Sequence, residues 1–419
     1  MKLFCTTGLA LTLAVGAALP AVAQTSDITF SLWGSPQEGA VWQKIAEAFE
    51  AEHPDINVDI EVADWDGYWE KLRVQVSGGT PPDVFAMDAP LYPDWQSRGV
   101  LLNLQPYLDA EPEVLEGIYP ATLEAYKTEE GMFGLPRDFQ TIVLFFNKDM
   151  FDEAGVEYPT EEWTWEDFRE AAKALTLDKD GDGTTDQWGA WAEVYDMEPL
   201  WGPMVWSHGG QIVDPQAGET LIDSPEALAG FEFIRSVWLD DKSMPTSEQL
   251  SQYGWDGLLS NVAAMGFSGH WSVPEYSQAG LNLGVVPMPA GPAGRKTIVN
   301  SAGFVISANT PNPDAAWAFV KYATSEAGQT ELAKVGLAIP IRESVTSSDA
   351  YLKQEAQIDH KVFVDALDYA TVKPSFKGYE EWSGAVGDAL SLSWTEGVPL
   401  EDSLAEAVDF GNDALASNR

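Results

Sequence analysis

The run Asp178-Lys179-Asp180-Gly181-Asp182-Gly183-Thr184-Thr185-Asp186 has the residue types and spacing to hold a metal ion. Carboxylates at its first, third, fifth and ninth positions can converge on one Ca²⁺. Glycine at the sixth permits the sharp turn, and the carbonyl of Thr184 at the seventh adds an oxygen. An EF-hand would close with a bidentate Glu at the twelfth position, where this chain has Gly189. A further ligand must therefore come from elsewhere, and a structural rather than regulatory ion is expected; the alternative is a solvated polar turn. Other patterns fail. His53, His208, His270 and His360 show no ligand spacing, and Gly266-Phe267-Ser268-Gly269 lacks the residue that a nucleophile elbow places between Ser and the second Gly. Gly294-Arg295-Lys296-Thr297 lacks both the upstream Gly and the Gly-Lys step of a phosphate loop. Carboxylate pairs for glycoside hydrolysis carry no information when 66 residues are acidic.

Seventeen Trp form the second informative set, and many stand beside turn residues instead of inside periodic segments. A flat apolar face with a polar edge suits the C–H faces and hydroxyl rims of sugar rings. Trp33 ends the first strand pattern, Trp65 follows the second, and Trp271 stands in Gly269-His270-Trp271-Ser272. For any single Trp, core packing is the competing reading.

The elements that must position these residues are legible as periodicity. Ile28 to Leu32 alternates as a strand, and Val41, Trp42, Ile45 and Phe49 recur at helical spacing until His53-Pro54 ends the pattern. Ile56, Val58, Ile60 and Val62 alternate as a second strand. Tyr68, Trp69, Leu72 and Val76 mark a second helix, and Asp83 to Met87 a third, more buried strand. This order predicts a parallel sheet with right-handed crossovers. Further helices are predicted at 165–175, 225–239, 314–324 and 400–415, and strands at 142–146, 283–286 and 304–307. With 419 residues, no repeat and no long linker, two lobes joined by several short crossings are expected.

Composition narrows the partners and the compartment. A net charge of −43 repels phosphate backbones and anionic lipid, which excludes nucleic-acid and peripheral membrane partners. Lys2, the apolar run from Leu9 to Leu19 and Ala21-Val22-Ala23 read as a cleaved signal peptide, residues 1–23, with the mature chain starting at Gln24. Cys5, the single cysteine, lies inside that leader, so neither a lipid anchor on it nor a disulfide is expected. No later segment is long and apolar enough to span a bilayer.

The mature chain resembles the extracellular solute-binding proteins of carbohydrate ABC importers, the group that contains maltose-binding protein. The resemblance rests on Trp33, Pro82-Asp83-Val84, Gly134-Leu135-Pro136 followed by Phe146-Asn147-Lys148-Asp149, Gly209-Gly210, Gly269-His270-Trp271, Val286-Pro287, and Ser301-Ala302-Gly303 ahead of Asp314-Ala315-Ala316-Trp317. It implies an α/β periplasmic binding protein fold: two lobes, each a mostly parallel sheet flanked by helices, joined by hinge strands around a ligand cleft. The first lobe would comprise residues 24–135 and 288–340, and the second 136–287 and 341–419. The crossings would be Pro136-Arg137-Asp138, Val286-Pro287 and Ala338 to Arg342.

By the same resemblance Trp271 stacks on a sugar, Ser35, Gln37 and Glu38 contribute polar contacts, the first crossing supplies Arg137, Asp138 and Gln140, and the third supplies Arg342. Trp33, Trp65, Asp88, Gly303 and Trp382 complete the expected cleft set. Departures from the maltose binder, namely Met87-Asp88-Ala89-Pro90-Leu91, Glu38 in place of Lys, and Ser383-Gly384 in place of a Trp-Tyr pair, argue against maltose itself. The resemblance thus implies a soluble, monomeric, non-catalytic periplasmic subunit that binds a sugar or polyol and delivers it to a membrane permease, with no cofactor beyond the candidate Ca²⁺. The alternatives are a receptor for an anionic sugar derivative or phosphorylated polyol such as glycerol 3-phosphate, with Arg137 and Arg342 as charge partners, and a secreted glycosidase.

Self-repulsion on so acidic a chain weakens with screening. The melting temperature, measured with chelator present, is expected to rise from about 10 mM to about 500 mM NaCl as the Debye length falls from about 30 Å to below 10 Å. A flat or falling trend would count against this account.

Overall fold

The computed structural model describes residues 25–254, 256–354, 357–395 and 397–418. The leader expected at residues 1–23, with maturation at Gln24, lies outside them. No described helix is long and apolar enough to cross a membrane.

Period-two alternation yields β1 (Ser26–Trp33) and β2 (Ile56–Ala63), paired in parallel with Ser26 opposite Ile56. Between them runs α1 (Pro36–Glu52). It starts in a capping box: the Ser35 hydroxyl accepts from the Glu38 N–H, and the Glu38 carboxylate accepts from the Ser35 N–H. Gly34, at φ +155°, must lack a Cβ for this, since one would lie 2.2 Å from Glu38 Oε2. On the inner face of α1, Trp42 meets Phe30 edge-on at 5.5 Å and Phe304 at 5.4 Å, contacts of about 0.5–1.5 kcal/mol each beyond their buried area. α2 (Trp65–Ser77), capped by Asp64, leads to β3 (Val84–Asp88), which is buried throughout and parallel to β1. Asp83 anchors the start of β3 by accepting from the Thr29 N–H at 2.9 Å and from the Thr310 hydroxyl.

Two long strands then run between lobes. β4 (Gly134–Thr141) continues almost directly into β5 (Val143–Asn147), which is flanked by β6 (Met265–Ser268) and β7 (Leu283–Val286) in the second lobe. β8 (Thr297–Ile306) returns to the first lobe, antiparallel to β3 and β4, and β9 (Ala370–Val372) pairs in parallel with its first residues. β5 is antiparallel to both neighbours, where a mostly parallel sheet was expected, and parallel bridges join Trp188 to Ala263, just ahead of β6, and Trp191 to Gly266 within it. The reason is geometric. Strands native to a lobe point their carboxyl ends at the cleft, so a strand arriving from the other lobe must run the opposite way.

The predicted helices form α3 (Trp165–Ala174), α4 (Pro225–Arg235, continued by the π turn Ser236–Asp240), α5 (Pro313–Ala323) and α7 (Leu400–Ser417). α6 (Tyr379–Thr395), which sequence periodicity did not reveal, carries Gly384 and Gly387, and these dilute its apolar pattern.

The crossings differ from those expected. Pro136 to Asp138 pair within the first lobe's sheet, so the chain passes over at Thr141–Val143. After Val286-Pro287 the hairpin 290–295 stays on the second lobe, where Ala290 donates to the Trp163 carbonyl and Ala293 to that of Ser207; the crossing is at Lys296. Ala338 to Arg342 remain in the first lobe, with Ile339 and Ile341 accepting from the Phe139 and Tyr119 amides, so the third crossing follows Tyr351. A segment whose backbone is fully bonded inside one lobe cannot serve as a pivot. The lobes also meet where His270 of the second stacks on Tyr351 of the first, ring centroids 5.4 Å apart, and the buried His270 Nε2 lies 2.9 Å from His360 Nδ1 of its own lobe. Burial first, then the neighbouring His360, hold the His270 pKa well down.

Candidate functional site

The carboxyl ends of β1, β2 and β3 open on a cleft walled by both lobes, where ligands meet open α/β sheets. Three adjoining chambers of about 620, 460 and 340 Å³ make it up. The largest lies between Trp65, Trp69 and Asp88 of the first lobe and Tyr195, Met197 and Tyr379 of the second. The 460 Å³ chamber sets Ser35, Gln37 and Glu38 against Trp271 and Glu275. The smallest lies on the second lobe and shares Asp196 with the first chamber and Trp271 and Glu275 with the other.

Each predicted residue has a definite place. Trp271 is 39% exposed at the junction of two chambers. Its ring lies directly over Gly269, where a Cβ would come within 2.0 Å of it, which is why Gly stands two residues before this Trp. Trp65, 46% exposed, presents itself to the largest chamber. Trp33 packs behind it, edge-on at 5.1 Å, and stacks on Trp69 at 5.8 Å. Ser35 and Glu38 line the cleft although their hydrogen bonds are committed to capping α1. Burial raises the Glu38 pKa. Arg137 is buried between the rings of Trp33 and Trp42, at 5.2 and 5.3 Å, and paired with Asp138 at 2.6 Å. Neither residue lines the three chambers. Gln140 spans the lobes by accepting from the His270 N–H at 3.1 Å.

Three further expected residues lie away from these chambers. Arg342 donates to the carbonyls of Thr324, Glu116 and Val114, which consumes its guanidinium inside the first lobe. Gly303 lies in β8 under Tyr126, whose ring would be 2.5 Å from an added Cβ. Trp382 is 1% exposed and donates to Thr220 Oγ1 at 2.9 Å. At 100° per residue, α6 turns Tyr379, Ser383 and Gly387 to the cleft and Trp382, Val386 and Leu390 to the core.

Of the cleft floor, sequence reasoning found Asp88 and missed Glu198, Asn300 and Lys373. Lys373 Nζ lies 2.7 Å from Glu198 Oε2, and Asn300 Nδ2 reaches both Asp88 Oδ1 at 3.0 Å and Glu198 Oε2 at 3.1 Å. Burial raises the pKa of Asp88 and of Glu198, while Lys373 pulls each back. Burial also opposes the Lys373 ammonium, but Glu198 and its neighbours outweigh this and hold its pKa well above the usual range. Glu193 opens onto the smallest chamber. Restricted solvation first, then the like charges of Asp196, Asp256 and Glu198, push its carboxyl up to about 6. The one signal in the sequence is the dense acidic and aromatic run Glu193-Val194-Tyr195-Asp196-Met197-Glu198, which ends in the π turn Met197–Trp201.

The 178–186 loop lies apart from the three chambers. Asp178, Asp180 and Asp186 each bring a carboxylate oxygen within 4.8 Å of the other two. Asp182 accepts from the Thr184 N–H at 2.7 Å and stands outside that group. Amides of Gly183 and Gly181 donate to Asp178 and lower its pKa.

Two α/β lobes around a polar, aromatic cleft define a ligand-capturing binding protein. Residues 33–330 match the bacterial extracellular solute-binding proteins, and the chain belongs to that family. A putative binding protein of Brucella abortus is 24% identical over 384 residues, covering 89% of this chain and 90% of its own length. The maltotriose-binding protein of Pyrococcus abyssi is 25% identical over 370 residues, 84% of this chain and 74% of its own. An ABC substrate-binding protein of Listeria monocytogenes, solved in complex with cycloalternan, superposes with a TM-score of 0.85 at 25% identity, covering 94% of this chain and 99% of that one. These are solute-binding proteins and not enzymes, which sets the glycosidase reading aside.

The placement of Trp382 has a measurable consequence. Trp382→Ala is expected to cost the unliganded protein about 3–5 kcal/mol through the cavity it leaves, seen as a lower denaturation midpoint. A Trp382→Ala protein of unchanged stability would contradict its core position.

Proposed function

We propose that this protein captures a sugar or polyol in the cleft by lobe closure and delivers it to the membrane permease of an ABC importer, acting as a monomer in the periplasm after removal of its leader. The observation that carries this reading is the set of large aromatic faces left open in an otherwise polar cleft: Trp65 at 46%, Trp271 at 39% and Tyr195 at 38% exposure. Open indole and phenol faces beside carboxylates and amides suit the two sides of a sugar ring. Relatives named for maltotriose or solved with cycloalternan support the same class. An anionic ligand is disfavoured, because Arg342 is consumed by carbonyls and Arg137 is paired with Asp138. We also propose that the 178–186 loop holds a structural Ca²⁺ through Asp178, Asp180 and Asp186.

Ligand that bridges both lobes favours the closed state, because only closure lets Trp271 and the Gln37 segment touch it together. Binding at a hundredfold excess over Kd stabilises by about 2.7 kcal/mol, and at roughly 2–4 °C per kcal/mol for a lobe-sized unit a thermal-shift screen of sugars and polyols should show roughly 5–10 °C. Trp271→Ala should remove most of that shift while leaving the unliganded melting temperature nearly unchanged, and small-angle scattering should show a smaller radius of gyration with the ligand. A broad library without a shift, or undiminished binding by Trp271→Ala, would overturn the assignment. For the loop, chelator should lower the melting temperature of the parent but not of Asp180→Ala. Elemental analysis that finds no calcium, with indifference to chelator, would reduce the loop to a turn.

A further inference from the structure

The smallest chamber differs from the rest of the cleft in charge. Glu193, Asp196, Glu198, Asp256 and Glu275 line it, and its lining includes no Lys, Arg or His. Three of these carboxylates have work in the fold. Glu198 is paired with Lys373, Asp196 caps the π turn by accepting from the Glu198 N–H at 2.9 Å, and Asp256 accepts from the Leu258 and Leu259 amides and the Tyr276 hydroxyl, each at 2.9 Å. The side chains of Glu193 and Glu275 have no hydrogen bond or ion pair among the described residues. Trp271 lines the chamber with them.

A second observation points to a ligand at the same place. Trp191, 5% exposed, also lines this chamber, and its buried indole N–H has no partner among the described residues. A buried donor of this kind calls for an acceptor that the protein does not supply. Closure sharpens the charge problem, since Glu38 of α1 faces Glu275 across the adjoining chamber. Expelling water from between like charges is unfavourable unless a cation enters with the ligand. That cation is not a chelated metal. Among the described residues Asp178, Asp180 and Asp186 are the only group of three or more such side chains with ligand atoms within 4.8 Å of one another, so the cleft offers no cage of three carboxylates for a metal ion. An ammonium held on a sugar ring fits wider spacing and gains from an aromatic face.

We propose that the captured ligand carries a protonated amine, as an amino sugar or amino polyol, with its ammonium between Glu193 and Glu275 against Trp271 and a ring or hydroxyl oxygen accepting from Trp191. This rests on the sugar-capture reading and names its substrate class. The test is calorimetric titration of the full mature chain with D-glucosamine, N-acetyl-D-glucosamine and D-glucose, and with the matching β-1,4 disaccharides, beside a broad thermal-shift library of neutral sugars and polyols. The amine is expected to bind at least about tenfold more tightly than its N-acetyl counterpart, with affinity falling between roughly 50 and 500 mM NaCl. The double variant Glu193→Gln, Glu275→Gln should fold normally and lose that preference while still binding neutral sugar weakly. Neutral or N-acetyl sugars that bind as tightly as the amine would overturn the amine proposal and leave sugar capture standing. Silence from the entire library, charged and neutral, would overturn both.

Discussion

One buried ammonium sets the geometry of the cleft floor. Lys373, arriving just after β9, is the cation that pairs with Glu198 from the second lobe, and the Asn300 amide ties Glu198 to Asp88 from the first. Asn300 is itself oriented, because its carbonyl oxygen accepts from the Ser301 N–H at 2.9 Å. Two carboxylates from opposite lobes thus share one amide and one positive charge in a place that disfavours ions. Removing the ammonium would leave both uncompensated, a far larger loss than the pair itself is worth. The π turn, the end of β3 and the start of β8 are placed relative to one another by this requirement.

The aromatic wall depends on a similar buried charge. Arg137 lies between Trp33 and Trp42 and is neutralised by Asp138, so a cation and its counter-ion fill the space under the first lobe's cleft face. Trp33, held on that support, packs edge-on against Trp65 and leaves the Trp65 face open to the chamber. A residue expected to touch ligand therefore works one layer behind it. At the mouth of the same chamber Arg73 and Glu380 join the lobes by a half-exposed pair at 2.5 Å, which salt screens and which contributes little to stability.

Much of the architecture was legible in the chain because it is local. The helical spacing of Trp42, Ile45 and Phe49 and the alternation of β1 and β2 are short-range patterns whose outcome neighbours do not reverse. The position of Trp271 came from the family resemblance, and the structure supplies its local reason, since Gly269 leaves room for the ring against the backbone. Arg342 and Trp382 were not, because a guanidinium and an indole look the same in sequence whether they face ligand or are consumed by Val114, Thr324 and Thr220.

The sequence by itself determined the α/β alternation, the expectation of two lobes and the acid surface, which follow from periodicity, length and composition, while the segments that approach the cleft came chiefly from the family resemblance. Tertiary structure alone decided the direction of β5, the points at which the chain crosses between lobes, and which side of α6 faces the cleft. It alone brought Asp88, Glu198, Asn300 and Lys373 together from positions up to 285 residues apart in the chain. The physical reason is the range of the interactions. Dihedral preferences and helical spacing act over a few residues, whereas a buried ion pair or a hydrogen bond between lobes exists only once distant segments have been packed into a place that excludes water.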